Sequence, residues 1–309
     1  MQIEHLRLTT HDEWLIERRK SLGASDAAAA LGFSTWKSPF ALFSEIQGWH
    51  TVEENIAMRA GSHMEEFVAS EFKRETGLAV EIVGNSCEPY HIFRRGNLHA
   101  TPDRWVVEDG QRGVLELKYS LRSWVEIPLQ YQIQLYQQMW CCGCSFGYVC
   151  GYVGGKLMYQ RYEFDADLWE PIRIKLENFF DDCKRGIAPP VDGHQSTSEA
   201  LRAINPSQES VDLPSCVDEI FLDLSLVKES ISQLEAEKAE YENRIKALLI
   251  DHRVGKTSAW TATYKPQTRS GKCEVAPEHV ETLKAAGIPF VEKHATQTRV
   301  LRITKNKGE

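Results

Sequence analysis

The chain has 309 residues, of which 42% are hydrophobic and 26% are charged, and its formal net charge is −8. These are the values of an ordinary globular protein, so they exclude a largely disordered chain. No apolar run approaches the roughly 20 residues of a membrane-spanning helix, and the first residues lack the charged-then-apolar plan of a signal peptide. We therefore expect a cytoplasmic protein that does not enter a membrane.

The N-terminal part of the chain alternates between helical and strand patterns. Helical spacing of apolar residues predicts helices over 12–20, 39–48, 55–76, 126–142 and 166–185. β-branched and aromatic runs, separated by Gly, Asn, Pro and Asp, predict strands around 79–83, 90–94, 98–107, 112–119, 146–153 and 156–164. This order of elements predicts an α/β or α+β domain over residues 1–190.

The C-terminal part has a different pattern. Residues 191–217 are rich in Pro, Ser, Gly and Asp, and this composition predicts a linker. From Ile220 to Leu248 a row of residues alternates spacings of four and three, and Lys238 is its one polar position. This seam is typical of an antiparallel or self-paired coiled coil, and a long helix packed on the main domain is the alternative. Residues 218–309 are therefore predicted to form a coiled-coil helix and a small α+β accessory arm.

The charge is unevenly distributed along the chain. The net charge is −6 over residues 1–190 and +7 over residues 244–309, with −9 between them. A basic end on an acidic chain indicates a polyanionic partner. Within this end, aromatic residues interleave with Lys265, Arg269 and Lys272, which we interpret as candidate DNA contacts.

Three charged residues are candidates for a catalytic site. Asp103 lies in one candidate strand, and Glu116 and Lys118 lie two residues apart in the next. Because residues i and i+2 of a strand share a face, Glu116 and Lys118 project together, and a neighbouring strand can bring Asp103 beside them. Two carboxylates and an ammonium suit a Mg²⁺ site for phosphodiester hydrolysis. Salt bridges at a sheet edge are the alternative.

The motifs around this set resemble the YqaJ/lambda-exonuclease-type phage recombination nucleases of the PD-(D/E)XK superfamily. In chain order they are RRKSLGASD from Arg18, GSHMEE at 61–66, HATPD at 99–103, GVLELK at 113–118 and IQLYQQMW at 133–140. The resemblance covers about residues 14–185. It implies a PD-(D/E)XK nuclease core, in which helices flank a central mixed sheet.

The resemblance also implies the metal ligands. Asp103, Glu116 and the backbone carbonyl of Leu117 would hold Mg²⁺, for which Mn²⁺ can substitute, with two ions in each site. Glu65, on the helix before the sheet, would be a further acidic group near the second ion. A solvated helix carboxylate is the alternative interpretation of Glu65.

The remaining site residues follow from the same resemblance. Lys118 would orient and polarise the attacking water, and Gln134 would position the nucleophile or Lys118. Arg18, Ser25 and Thr101 fall where the family builds a pocket for a DNA 5′-phosphate, for which a guanidinium and hydroxyls are suitable donors. The family commonly has Ser at the position of Thr101, and Thr keeps the hydroxyl.

The family resemblance implies a 5′→3′ exonuclease on linear double-stranded DNA. Its 3′ single-stranded products would serve recombination by single-strand annealing, with an annealing protein of the RecT or Red-beta type as partner. The family forms a ring of three subunits, and we expect a phage or prophage protein in the bacterial cytoplasm. The alternatives are a structure-specific or restriction-type endonuclease and a DNA-end-binding protein with an inactive site.

Several other residues near these motifs are interpreted as structural. Cys87, Cys141, Cys144 and Cys150 resemble the iron–sulfur spacing of some related nucleases. Cys141 ends the glutamine-bearing helix and Cys150 falls in a strand, so we expect packed thiols and no cluster. His63, His91 and His99 are interpreted as structural, and Trp36 and Trp49 are placed in the core in preference to a DNA-facing wedge.

Overall fold

The structure is a computed structural model that describes residues 1–49, 55–85, 87–204, 210–269, 277–287 and 296–305. The chain divides into two compact units, Met1–Gln208 and Glu209–Glu309. Among the described residues, no helix is both long enough and apolar enough to cross a membrane. The domain boundary at residue 190 stays a prediction.

The first unit is built from the predicted mixture of helices and strands. Its helices are α1 (His11–Arg18), α2 (Ala27–Ala30), α3 (Pro39–Ile46), α4 (Ile56–Thr76), α5 (Leu129–Cys142), α6 (Ala166–Lys184) and α7 (Gln195–Ala203). Its strands are β1 (Glu4–Leu8), β2 (Leu22–Gly23), β3 (Ala79–Ile82), β4 (Tyr90–Arg95), β5 (Leu98–Ala100), β6 (Arg104–Glu108), β7 (Gln111–Ser120), β8 (Phe146–Val153) and β9 (Lys156–Glu163).

One predicted strand is wrong in its extent. Residues 98–107 form two strands, β5 and β6, which belong to different sheets. The break falls at residues 101–103, where Pro102 has no backbone N–H to donate to a ladder. As a consequence, Asp103 lies in the bend immediately before β6 and does not take part in the strand pairing.

The larger sheet has five strands in the order β3–β6–β7–β8–β9. The β7 and β8 strands are parallel and the other neighbours are antiparallel, so the sheet is mixed. Alternate residues of β7 point to opposite faces. Leu115 and Leu117 pack with α4, whereas Val114 packs with α5. The expected α+β core with a mixed sheet flanked by helices is therefore confirmed, and Glu116 and Lys118 lie on the α5 face.

The α4 helix is fixed at both ends by its sequence. Asn55 caps the start, because its side chain accepts a 3.0 Å hydrogen bond from the backbone N–H of Met58. Gly77 ends the helix in the left-handed region, with φ of 72°. Val68 and Phe72 are buried against the sheet, in the cluster that contains Leu115 and Leu117 of β7.

A second sheet has the order β1–β4–β5–β2. The β2 and β5 strands are parallel, with Leu22 opposite Leu98 and Gly23 opposite His99. The side-chain amide of Gln137, on α5, donates to the backbone carbonyls of Leu22 (2.8 Å) and His99 (2.9 Å). One glutamine thus ties α5 to both of these short strands.

The segment predicted as a linker contains ordered structure. Within residues 191–217, α7 forms a helix whose Thr197 and Ala200 are buried. The Thr197 hydroxyl lies 2.6 Å from that of Ser38, which also caps α3 by accepting from the backbone N–H of Ala41. Thr197 therefore fastens α7 to the start of α3, inside the segment whose composition predicted a linker.

The expected core positions of two tryptophans are wrong. Trp36 is 68% exposed and Trp49 is 48% exposed. The hydroxyl of Ser34 accepts from the backbone N–H groups of Trp36 and Lys37, both at 3.2 Å. This local turn presents the Trp36 ring outward.

The second unit consists of α8 (Val217–Leu249), β10 (Val254–Lys256), β11 (Trp260–Arg269), α9 (Pro277–Ala285) and β12 (Thr296–Lys305). The three strands form an antiparallel sheet in the order β10–β11–β12. The predicted long helix and small α+β appendage are therefore present. Whether the helix forms a coiled coil stays a prediction.

Candidate active site

Asp103 is held by the backbone of the neighbouring strand. Its Oδ2 accepts a 2.8 Å hydrogen bond from the N–H of Leu117. The β6–β7 ladder begins at the pair Arg104 and Leu115, so Leu117 lies beyond it. Because the N–H and C=O of one strand residue point to the same side, the carbonyl of Leu117 also faces the side where Asp103 lies.

Glu116 is buried, with 1% of its surface exposed, and its carboxylate is surrounded by donors. Oε1 accepts from Nε2 of Gln134 at 2.6 Å and contacts Nζ of Lys118 at 2.5 Å. Oε2 accepts from Nε2 of Gln138 at 2.6 Å. A buried carboxylate needs such partners, since losing water without them is costly. Gln138 was not singled out from the sequence, although it lies one helical turn after Gln134.

Lys118 remains a cation in this environment. Burial opposes its charge, but the carboxylates of Glu116 and Asp103 outweigh that effect and raise the pKa of Lys118. Its ammonium also lies 5.0 Å from the centroid of the Tyr131 ring. Lys118 is therefore a cation that donates hydrogen bonds in this arrangement.

The acidic groups disfavour one another's ionisation. Burial, and then the charge of Glu116, raise the pKa of Asp103 well above its usual range, and Lys118 offsets only part of this. Burial also raises the pKa of Glu65 on α4, with Arg104 opposing and Glu116 adding to the rise. These mutual effects show that Glu65, Asp103, Glu116 and Lys118 share one electrostatic environment.

The donor set suits a hard cation. Among the described residues, no three His, Cys, Asp or Glu side chains form a ready-made metal cluster. Each carboxylate oxygen offers two lone pairs, so Oε2 of Glu116 retains one beyond the bond from Gln138. With Asp103 and the carbonyl of Leu117 this makes an all-oxygen set, which Mg²⁺ and Mn²⁺ prefer. A divalent ion would also neutralise the carboxylates that burial destabilises.

A second polar cluster lies at the β2–β5 end of the unit. Arg18 is half-buried, and its guanidinium lies 4.3 Å from the Trp14 ring centroid. Among the described residues, no hydrogen-bond or ion-pair partner contacts this guanidinium. Ser25 and Thr101 each lie two residues after the Gly23–His99 pair of parallel strands, so both leave the same edge. Ser25 is exposed and Thr101 is half-buried.

The candidate residues of the second unit lie on β11 or after it. Lys265 is exposed, and Arg269 is the last residue of the strand. Lys265 occupies an odd position, whereas Trp260 and Tyr264 occupy even positions, so Lys265 falls on the opposite face from these aromatic residues. Lys272 lies outside the described residues.

The cysteines belong to separate parts of the core. Cys141 packs in the cluster around Trp169, and Cys150 packs in the cluster between α4 and the sheet. Burial raises the pKa of Cys150 to about 12 and that of Cys144 to about 11. Cys87 is exposed. The expectation that no iron–sulfur cluster forms stays a prediction.

Two comparisons with known proteins identify the family. The model of the YqaJ-like viral recombinase domain matches residues 13–145. The protein YqaJ of Bacillus subtilis is 33% identical over 273 residues, which are 83% of this chain and 84% of that protein. The chain belongs to the YqaJ family. The YqaJ-like segment runs from α1 to the start of β8 and includes every candidate site residue of the first unit.

Solved structures similar to this YqaJ-family chain include two exonucleases. The alkaline exonuclease LHK-Exo from Laribacter hongkongensis has a TM-score of 0.45 and 20% identity, covering 57% of this chain and 94% of that one. The phage-related exonuclease from Haemophilus somnus 129PT has a TM-score of 0.41 and 12% identity, covering 54% of this chain and 96% of that one.

Proposed function

We propose that this YqaJ-family chain is a metal-dependent deoxyribonuclease, a Mg²⁺-dependent 5′→3′ exonuclease on linear double-stranded DNA. The observation that carries the proposal is the buried set of Asp103, Glu116 and Lys118 beside the carbonyl of Leu117. Families of phage recombination nucleases place these groups in the same chain order. Removal of the 5′ strand would leave 3′ single strands for recombination by annealing.

The residues have distinct tasks in the proposed hydrolysis. Asp103, Glu116 and the carbonyl of Leu117 would hold Mg²⁺, or Mn²⁺ in its place, with Glu65 near a second ion. Bound Mg²⁺ supplies activation of the attacking water and neutralises charge that develops on the phosphate. Lys118 orients that water and donates to the developing negative charge.

Gln134 and Gln138 act on Glu116. Their amides fix both carboxylate oxygens, so that the carboxylate keeps one orientation on the α5 face of the sheet. Gln134 shares Oε1 with Lys118 and thereby restricts where the ammonium lies. Gln134 and Gln138 are therefore positioning residues.

The Arg18 cluster is proposed to bind the 5′-terminal phosphate of the DNA. The Arg18 guanidinium, which has no hydrogen-bond partner among the described residues, provides donors for phosphate oxygens together with the hydroxyls of Ser25 and Thr101. Thr101 lies two residues before Asp103, which places this cluster next to the hydrolytic set along the chain. Recognition of the end would direct hydrolysis to the 5′ strand.

Assembly and partners are part of the proposal. A ring of three subunits would enclose the duplex, and an annealing protein of the RecT or Red-beta type would receive the 3′ strand. The second unit, whose residues 244–309 are basic and include Lys265, Arg269 and Lys272, is proposed as an accessory arm that contacts DNA or this partner.

The decisive experiment is digestion of a linear duplex labelled at one 5′ end, in Mg²⁺ and in EDTA. We expect Mg²⁺-dependent release from the 5′ strand, and a loss of about 10³-fold in kcat/KM for Lys118→Ala. Lys156→Ala, an exposed lysine of β9, is the matched control. Survival of linear DNA with folded protein would exclude the exonuclease, and cutting of covalently closed circles would indicate an endonuclease instead.

A further inference from the structure

His99 has a buried nitrogen that the fold does not use. The residue is 2% exposed, and it lies in β5 opposite Gly23. Among the described residues, its Nε2 has no hydrogen-bond partner. Buried polar atoms in proteins are almost always paired, because an unpaired one has lost water without replacement. A ligand that pairs with Nε2 would explain its position.

The neighbours of His99 allow the tautomer in which Nε2 carries the proton. Nε of Arg94 donates to the hydroxyl oxygen of Ser21 at 3.2 Å, and the same oxygen lies 2.9 Å from Nδ1 of His99. Because a hydroxyl oxygen has two lone pairs, the contact with Nδ1 is compatible with either tautomer. When the Ser21 hydroxyl donates to Nδ1, the ring proton is on Nε2 and the unpaired nitrogen is a donor.

The space beside this donor is shared with Arg18. A methyl group at Gly23 would lie 3.2 Å from Nε2 of His99 and 3.7 Å from Nη2 of Arg18. Gly23 therefore lies against Nε2 and near Nη2, and a side chain there would crowd both nitrogens. These two nitrogens, one of them charged, have no acceptor among the described residues and lie on the same side of Gly23, where an anion with several oxygens would pair with both.

We propose that His99 is a phosphate-binding residue, whose Nε2–H donates to the 5′-terminal phosphate of DNA beside Arg18. This inference rests on the proposed exonuclease function and adds a specificity-determining residue to its 5′-end pocket. A 5′-hydroxyl end lacks the phosphate oxygens, so the same donors would stay unpaired. Sites that hydrogen-bond a substrate group discriminate strongly against substrates without it.

The ring stays neutral in this pocket. Burial, together with the charges of Arg18 and Arg94, lowers the pKa of His99 to about 3. A neutral ring offers one N–H and keeps Nδ1 as the acceptor for Ser21. Arg18 supplies the positive charge that attracts the phosphate, and the N–H of His99 fixes the orientation of the phosphate.

The test compares 5′-phosphate and 5′-hydroxyl ends on otherwise identical linear duplexes. His99→Asn keeps a polar group near Ser21 but cannot place a donor at the position of Nε2, whereas His99→Gln can. We expect the ratio of kcat/KM for phosphate over hydroxyl ends to fall about tenfold in His99→Asn and to recover in His99→Gln. Gly23→Ala, whose φ of −73° suits alanine, should also lower the ratio by filling the space.

The matched control is His91→Asn, because His91 lies on the adjacent strand β4 and both of its ring nitrogens have partners. The ratio of kcat/KM for phosphate over hydroxyl ends should be the same in His91→Asn as in the wild type. An unchanged ratio in both His99→Asn and Gly23→Ala would overturn the inference while leaving the exonuclease standing. A wild type that digests both ends equally would overturn the 5′-phosphate pocket and this inference, and a wild type without digestion would overturn the proposed function itself.

A second measurement does not depend on a variant that folds. The ¹⁵N NMR spectrum of the wild type should show His99 as the neutral Nε2–H tautomer. In EDTA, a 5′-phosphorylated duplex should shift its Nε2 resonance, and a 5′-hydroxyl duplex should not. A ring with the proton on Nδ1, or equal shifts with both duplexes, would contradict the proposal.

Discussion

Glu116 depends on three donors from two elements, and Gln138 supplies the one bond to Oε2. Gln138→Ala leaves that buried oxygen without its donor. We expect the free energy of unfolding to fall by about 1–3 kcal/mol. The nuclease rate should fall as well, because the carboxylate loses its fixed orientation. Chemical denaturation and initial rates measure the two effects, with the exposed Gln160→Ala of β9 as control. Wild-type stability in Gln138→Ala would contradict this role.

Asp103 lowers the stability of the folded chain when its carboxyl group is ionised. Burial and the charge of Glu116 raise its pKa in the folded chain, so it contributes stability at low pH that is lost as pH rises through its folded pKa. Asp103→Asn removes the charge and keeps an oxygen for the N–H of Leu117. In EDTA we expect Asp103→Asn to have the higher Tm at pH 8, with a difference that shrinks as the pH falls. Thermal unfolding across this pH range is the measurement.

Asp103→Asn also distinguishes the effect of this carboxyl group on stability from its effect on Mg²⁺ binding. Mg²⁺ should raise the Tm of the wild type, because a ligand that binds only the folded state stabilises it. Asp103→Asn should show little of this rise and no hydrolysis. If Mg²⁺ raised the Tm of the wild type and of Asp103→Asn equally, the ion would bind at a site that does not include Asp103.

At the scale of elements, the heptad row from Ile220 to Leu248 on α8 predicts a coiled coil. The charged residues beside this row provide a test of that prediction. In an antiparallel pair centred between residues 232 and 233, the heptad positions place Asp223 opposite Arg244 and Lys228 opposite Glu235 of a second copy. A parallel pair would instead stack Lys238 on itself. The apolar positions of this seam are exposed in the single chain, among them Ile220, Ile231 and Leu234.

We therefore expect Lys228→Glu to weaken self-association of the full chain several-fold, since it then faces Glu235. Adding Glu235→Lys should restore association, because the pair is attractive again. Sedimentation equilibrium measures the effect. If α8 instead packs on the main domain, neither Lys228→Glu nor Glu235→Lys will change the distribution of molecular masses.

The sequence predicted most elements because their signals are local. Period-two alternation identified β7, and it correctly placed Glu116 and Lys118 on one face. The end of β5 was missed because Pro102 sits in a run that otherwise looks like a continuous strand. Gln138 was missed because its role comes from its contact with Glu116, which is distant in sequence.

For the molecule as a whole, the positive charge is concentrated in one part of the chain. Residues 244–309 carry +7 on a chain of −8, and Lys265 and Arg269 both lie in β11. If this strand meets the DNA backbone, Lys265→Glu with Arg269→Glu should weaken duplex binding. The slope of log affinity against log salt should become shallower by about 2, since two phosphate contacts are lost. Filter binding over a salt series measures the slope, and an unchanged slope would remove these residues from the DNA interface.

Helix α5 joins the two clusters of the first unit. Gln134 and Gln138 hold Glu116 where hydrolysis is proposed, and Gln137 between them binds the carbonyls of Leu22 and His99 beside the proposed 5′-phosphate pocket. If the two clusters act as proposed, this single helix sets the distance between the 5′-terminal phosphate and the bond that is cut. The size of the fragment released in each cycle would then be set by α5 and would not depend on the base sequence of the DNA.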